Sequence, residues 1–278
     1  MSTYKELLQT GRELLKQQEI ADADVDAWYL LAHVFRINRT DLLLGGDKPV
    51  PLAEEEAYLQ LIHMRMTHVP LQHITGTQEF MGLDFDVNSH VLVPRQDTEI
   101  LVEEVLKVCE GKSVLDMCTG SGCIIISIAK LGRPSRAVGA DISENALEVA
   151  AGNVRKHRIN VELFHSDLFE RIEGKFDIIV SNPPYIPTDE MKDLMPEVRD
   201  YEPRTALDGS PDGLLFYRRI TSALADYLNP GGYIFYEIGH NQGDEVRQIL
   251  AERGFTEIRI VKDLSGLDRV VGAVKGLL

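Results

Sequence analysis

Val114-Leu115-Asp116-Met117-Cys118-Thr119-Gly120-Ser121-Gly122 runs from an apolar strand through a glycine-rich loop into an apolar helix. Glycines at such a turn let the backbone bend sharply and let a ligand approach main-chain N–H groups at a helix start. Nineteen residues beyond Gly122, Asp141 closes the next strand. An acid there can accept hydrogen bonds from two ribose hydroxyls. A glycine-rich loop alone says little; strand, loop, helix, strand and acid in that order say much more.

Outward from this stretch, the pattern alternates strand and helix. Strands are expected at 113–117, 136–140, 161–164, 176–181, 232–238, 255–261 and 269–274, with helices at 122–130, 144–157, 214–228 and 242–253. That alternation predicts an α/β fold, a parallel sheet with helices on both faces. Before it, about 70 residues read as helices by apolar spacing. Thr3-x-x-Glu6 is a capping signal for a helix carrying Leu7, Leu8, Leu14 and Leu15. A second helix presents Val25, Trp28, Leu31, Ala32 and Phe35, and a third opens at Pro51 as a first-turn proline, with Tyr58, Leu59, Ile62 and Met66 inward. Phe80, Leu83, Phe85 and Val87 then alternate, and Val91-Leu92-Val93 follow a turn at Asn88-Ser89, which reads as a β-hairpin. The expected organisation is a helical domain over 1–72, a hairpin linker over 73–94 and an α/β domain over 95–278.

The loop discriminates between ligands. A dinucleotide site asks for G-x-G-x-x-G at a pyrophosphate. Here Cys118 stands at the first glycine, Ile125 at the third, and an acid, Asp116, precedes the loop. An acid beside a helix N-terminus repels pyrophosphate but can hold a ligand bearing an ammonium group, so the cofactor reading is S-adenosylmethionine. The plain alternative for Asp116 is a helix-capping acid. Asp167, itself followed by Leu168, comes just after the third strand, where an acceptor can read an adenine amino group; the alternative is a turn-stabilising Asp.

Asn182-Pro183-Pro184-Tyr185 follows the apolar strand residues Ile178-Ile179-Val180. Two prolines cannot continue a sheet ladder, so the strand must end there. The same rigidity suits catalysis by positioning. Asn182 and Pro183 offer carbonyl acceptors and Tyr185 a flat face. An amide or aromatic amino nitrogen has a delocalised lone pair and is a poor nucleophile. Two acceptors, each taking one N–H, can aim its electron density at an electrophilic methyl carbon, and stacking on Tyr185 can hold the plane.

Composition narrows the class. The 278 residues suit one large and one small domain, with 44% hydrophobic and 26% charged residues typical of a globular protein. The net charge of −15 argues against nucleic acid as the main partner, because phosphate binding draws on Lys and Arg. Cys109, Cys118 and Cys123 lack C-x-x-C spacing, and His63, His68 and His73 sit five apart, so no metal is expected. No apolar run approaches the ~20 residues of a membrane span, and the N-terminus lacks a signal pattern, so a cytoplasmic location is expected.

On these residues the chain resembles the HemK/PrmC family, protein-(glutamine-N5) methyltransferases that modify peptide chain release factors. The resemblance spans nearly the whole length and also rests on Leu92-Val93-Pro94-Arg95-Gln96-Asp97-Thr98-Glu99, on 202–209 and on Tyr236-Glu237-Ile238-Gly239. It implies a class I S-adenosylmethionine-dependent methyltransferase fold, Rossmann-like and seven-stranded. Thr119, Gly120, Ser121 and Gly122 would line the cofactor's methionine moiety and Asp141 its ribose. Asn182 would touch cofactor and target amide, Pro183 would accept the second amide hydrogen, and Pro184 and Tyr185 would complete the substrate site. The implied substrate is the glutamine of the Gly-Gly-Gln loop of class 1 release factors, with the helical domain helping to grip that partner. Cys118 in the loop and Gln96 after Arg95 depart from the family pattern. Arg95 and Glu99 would either border the cofactor or pair with each other. The rival readings are a nucleic-acid amino (adenine N6 or cytosine N4) methyltransferase and a non-catalytic cofactor-binding adaptor.

Overall fold

The computed structural model describes residues 2–277. Contacts divide the chain into two compact units: the chain up to Gly76 together with Met195–Tyr201, and Thr77–Leu194 together with the chain from Glu202 onward.

The first unit packs α1 (Tyr4–Gln17), α2 (Ala23–Phe35), α3 (Arg39–Gly45), α4 (Leu52–Met66) and α5 (Leu71–Thr75). Thr3 and Glu6 form the anticipated capping box of α1, and Asn38 with Asp41 forms a second one at α3. Pro51 is the N-cap of α4, one position before the expected first turn. The core gathers Leu7, Leu8 and Leu15 from α1, Ala27, Trp28, Leu30 and Leu31 from α2, and Tyr58 and Ile62 from α4. Val25 is 45% exposed, contrary to its expected inward place, because α2 turns Ala23, Ala27 and Leu30 to the core instead.

Buried Arg65 on α4 is the polar centre of this unit. Its Nε donates to Asp26 at 2.7 Å, one terminal nitrogen reaches the Val69 carbonyl at 3.2 Å, and the other pairs with Glu197. Tyr201 donates its hydroxyl to the Thr67 carbonyl at 2.6 Å. These bonds hold Met195–Tyr201 on the helices although it follows Asn182 in the chain.

The second unit contains β1 (Thr77–Phe80), β2 (Leu83–Asp86), α6 (Glu99–Leu106), β3 (Ser113–Met117), α7 (Cys123–Leu131), β4 (Arg136–Asp141), α8 (Glu144–His157), β5 (Glu162–His165) and β6 (Phe176–Ser181). After α9 (Pro196–Arg199), which belongs with the first unit, come α10 (Leu215–Tyr227), β7 (Leu228–Glu237), α11 (Gly243–Ala251), β8 (Phe255–Lys262) and β9 (Asp268–Lys275). The seven-stranded sheet has the order β5-β4-β3-β6-β7-β9-β8. It is mixed rather than wholly parallel, since β9 runs antiparallel to both β7 and β8. Only 263–267 separates β8 from β9, too short for the crossover that parallel strands require.

The hairpin also corrects the sequence reading. β1 and β2 turn at Met81-Gly82, with positive φ of 53° and 70°, and Val91-Leu92-Val93 form no strand. Phe80 and Phe85 are buried with α6 and α7.

Alternating strand residues fill the two faces of the sheet. Leu115, Met117 and Ile179 pack with α10 and α11, while Val114, Ile178 and Val180 pack with α6 and α7. Parallel register then aligns the strand ends: Met117 pairs with Ala140 and Ser181, Asp141 with His165, and Ser181 with Tyr236. Five chain exits therefore crowd one edge of the sheet, where open α/β sheets bind ligands.

Candidate active site

At that edge lies a cavity of about 440 Å³, ample for a small-molecule ligand. Its floor is the loop after β3. Cys118, Gly120 and Gly122 take positive φ of 65°, 55° and 80°, so three residues in five use the left-handed region. For Cys118 this conformation costs about 1 kcal/mol, which explains why a glycine serves well there. The loop is pinned by the Thr119 N–H on the Ala140 carbonyl at 3.0 Å and the Gly122 N–H on the Thr119 carbonyl at 2.8 Å. Asn153 on α8 accepts from the Asp86 N–H and donates to the carbonyls of Asp86 and Ser121, joining hairpin and loop.

Asp116 stands behind this floor, wholly buried. Its Oδ2 accepts the Thr119 hydroxyl at 2.6 Å, while Oδ1 has no hydrogen-bond partner among the described residues. Burial pushes its pKa up to about 7, against the opposing effect of the Thr119 bond. Asp141 accepts the N–H groups of Gly120 and Ser143 at 2.8 and 2.9 Å, and burial raises its pKa too. Asp167 receives Arg219 of α10 at 2.9 Å. The Ser166 hydroxyl, bonded to the Leu168 carbonyl at 2.7 Å, shapes the turn that carries Asp167 and Leu168.

Asn182 enters from the end of β6. Its Nδ2 lies 3.5 Å from the Thr98 hydroxyl. The Pro183 carbonyl takes no hydrogen bond among the described residues. Tyr185 is half-buried against the main core, its carbonyl held by Gln242 Nε2 at 3.0 Å.

Of the residues singled out from the sequence, Cys118, Thr119, Gly120, Ser121, Asp141, Asp167, Leu168, Asn182 and Pro184 line the cavity. Asp116, Gly122, Pro183 and Tyr185 stand behind or beside it. The unresolved pair divides: Arg95 lines the cavity and pairs with Glu202 at 2.5 Å, whereas Glu99 accepts the Met81 N–H at 2.6 Å and ties down the hairpin. Thr98, Arg204 and Arg219 also line the wall, and the sequence reading missed their part. They reach it from separate elements, so no local spacing marks them.

The cations on the wall are neutralised. Arg95 pairs with Glu202, Arg204 with Asp208 and Arg219 with Asp167, while Asp116 and Asp141 form no ion pair among the described residues. Where Asp141 is ionised the wall carries negative charge that no cation among the described residues offsets in an ion pair, which suits a ligand carrying a cationic centre.

Residues 6–76 match the PrmC N-terminal domain and residues 87–197 the methyltransferase small domain. The release factor glutamine methyltransferase of Geobacter sulfurreducens is 43% identical over 272 residues, covering 97% of this chain and 96% of that protein. The chain belongs to this family. The Clostridium acetobutylicum member is 45% identical, covering 90% of this chain and 91% of that protein. A Thermus thermophilus 16S rRNA methyltransferase, solved with AdoMet and guanosine, superposes with a TM-score of 0.52 at 19% identity, covering 72% of this chain and 49% of that one. That likeness shows the class I methyltransferase fold. Among the described residues no helix is long and apolar enough to cross a membrane, and no cluster of three or more candidate metal ligands occurs.

Proposed function

We propose that this methyltransferase transfers a methyl group from S-adenosylmethionine to the side-chain N5 of the glutamine in the Gly-Gly-Gln motif of class 1 peptide chain release factors, in the cytoplasm. The carrying observation is Asn182 on the cavity wall beside a Pro183 carbonyl that takes no hydrogen bond among the described residues. When bound, S-adenosylmethionine supplies a methyl group on a positively charged sulfur.

The chain's own part is binding and orientation. Asp141 is the ribose acceptor, Thr119, Gly120, Ser121 and Gly122 bound the methionine end, and Asp167 with Leu168 borders the adenine. Asp116 supports Thr119 from behind the floor by accepting its hydroxyl. Asn182 Oδ1 and the Pro183 carbonyl each accept one N–H of the target amide, so the nitrogen turns its face to the methyl carbon. Tyr185 packs against the glutamine's carbon atoms, and Pro184 stiffens the arm. No general base is required for this alignment; its contribution is positional.

Nucleic acid is the rival substrate class, and the charge of −15 counts against it. Labelled S-adenosylmethionine should be offered in parallel to purified release factor, DNA and RNA. The expected result is label in the release factor alone. Label confined to nucleic acid overturns the substrate assignment.

A further inference from the structure

Glu237 stands at the end of β7, in the next register position across from Asn182, because Ser181 pairs with Tyr236 in the parallel ladder. It is 2% exposed and does not line the cavity. Its Oε2 is buried without a hydrogen-bond partner among the described residues. A buried carboxylate costs stability unless something else is gained from it. The groups that act on it converge on the catalytic arm. Burial pushes its pKa up to about 7, while the Thr98 hydroxyl, Arg269 and the Asn182 amide favour its charged form and Asp97 opposes it. Arg269 is in turn shared between Asp97 and Asp263, at 3.0 Å each, so it does not neutralise Glu237 outright.

A carboxylate can only accept hydrogen bonds, and an amide has one donor end and one acceptor end. Above about pH 7 Glu237 is ionised, and the Asn182 amide beside it must present its NH2 to the carboxylate. The observed 3.5 Å approach of Nδ2 to the Thr98 hydroxyl agrees with that orientation. Oδ1 is then the end left for a ligand.

We propose that Glu237, working with Thr98, is a positioning residue that fixes which way round the Asn182 amide stands, so that its carbonyl faces the target nitrogen. The inference rests on the proposed glutamine methylation and adds to it the part that selects the acceptor. Glu237 touches neither ligand and acts only through Asn182. In Glu237→Gln an amide replaces the carboxylate and can meet either end of Asn182, so the selection is lost while shape is kept. Thr98→Val removes only the hydroxyl.

The test measures kcat and KM for release factor, with cofactor binding by calorimetry, in the wild type, Glu237→Gln and Thr98→Val. The expected result for Glu237→Gln is a 10- to 100-fold fall in kcat, with KM and cofactor Kd within about threefold of wild type. Thr98→Val should fall about 5-fold in kcat and Thr98→Ser should recover it, which keeps the inference testable should Glu237→Gln fail to fold. Full kcat in the variants, or a loss confined to KM or cofactor Kd, overturns it. A wild type that leaves release factor unmethylated is a different failure, that of the underlying activity.

Discussion

Asp116 carries a measurable consequence of burial. Its folded pKa of about 7 lies well above the ~3.9 of an unfolded aspartate. Between those values the folded chain binds the proton more tightly, so this group's contribution to stability is present at acid pH and is lost as pH rises towards 7. Asp116→Asn removes that dependence. The stability difference, variant minus wild type, should rise between pH 5 and pH 8 by up to roughly 3 kcal/mol in denaturant titrations. A flat difference would show that Asp116 is already ionised at little cost. Asn182→Ala, by contrast, should leave the fold intact and lower kcat about 100- to 1,000-fold in single-turnover measurements, as loss of an orienting acceptor does. Asp116, Asp141 and Asn182 were legible in the sequence because each sits beside a local signal, a glycine loop or a Pro-Pro strand exit. Glu237, Thr98 and Arg219 were not. Their roles come from strand register and from loops distant in sequence, which no local spacing encodes. Cys118 was legible as a departure, and the structure supplies its meaning in a φ of 65°.

At the level of elements, strand and helix placement in the α/β unit followed apolar periodicity closely, since strands buried on both faces read as continuous apolar runs. The hairpin did not. Val91-Leu92-Val93 resembles a strand, and Met81-Gly82 lacks the Asn-Gly or Asp-Gly signature of a two-residue turn. Gly82 holds φ of 70° with open space around its Cα, so Gly82→Ala should cost about 1 kcal/mol through the backbone alone. Thermal unfolding checks this, and an unchanged Tm would place the turn elsewhere. In the helical unit, Arg65→Leu would leave Asp26 buried beside an apolar side chain. A loss of about 3–5 kcal/mol is expected from equilibrium unfolding of that unit. A loss below 1 kcal/mol would mean that the buried pair is dispensable.

For the whole molecule, the fold class was open to sequence reading because order decides it: acid, glycine loop, helix, strand, acid, then Asn182-Pro183-Pro184-Tyr185. The placement of Met195–Tyr201 with the helices was not, because it depends on Arg65 and Thr67 meeting Glu197 and Tyr201 across more than a hundred residues. The tetrapeptide alone reads as a site for a planar nitrogen; acidity points away from nucleic acid, and full-length relatedness points to release factors. The most direct measurement incubates purified release factor with S-adenosylmethionine carrying a deuterated methyl group, then sequences the peptides by tandem mass spectrometry. The account predicts one labelled methyl on the side-chain nitrogen of the glutamine in Gly-Gly-Gln, absent with Asn182→Ala. An unlabelled glutamine, with the label elsewhere on the factor or only in added nucleic acid, would contradict it.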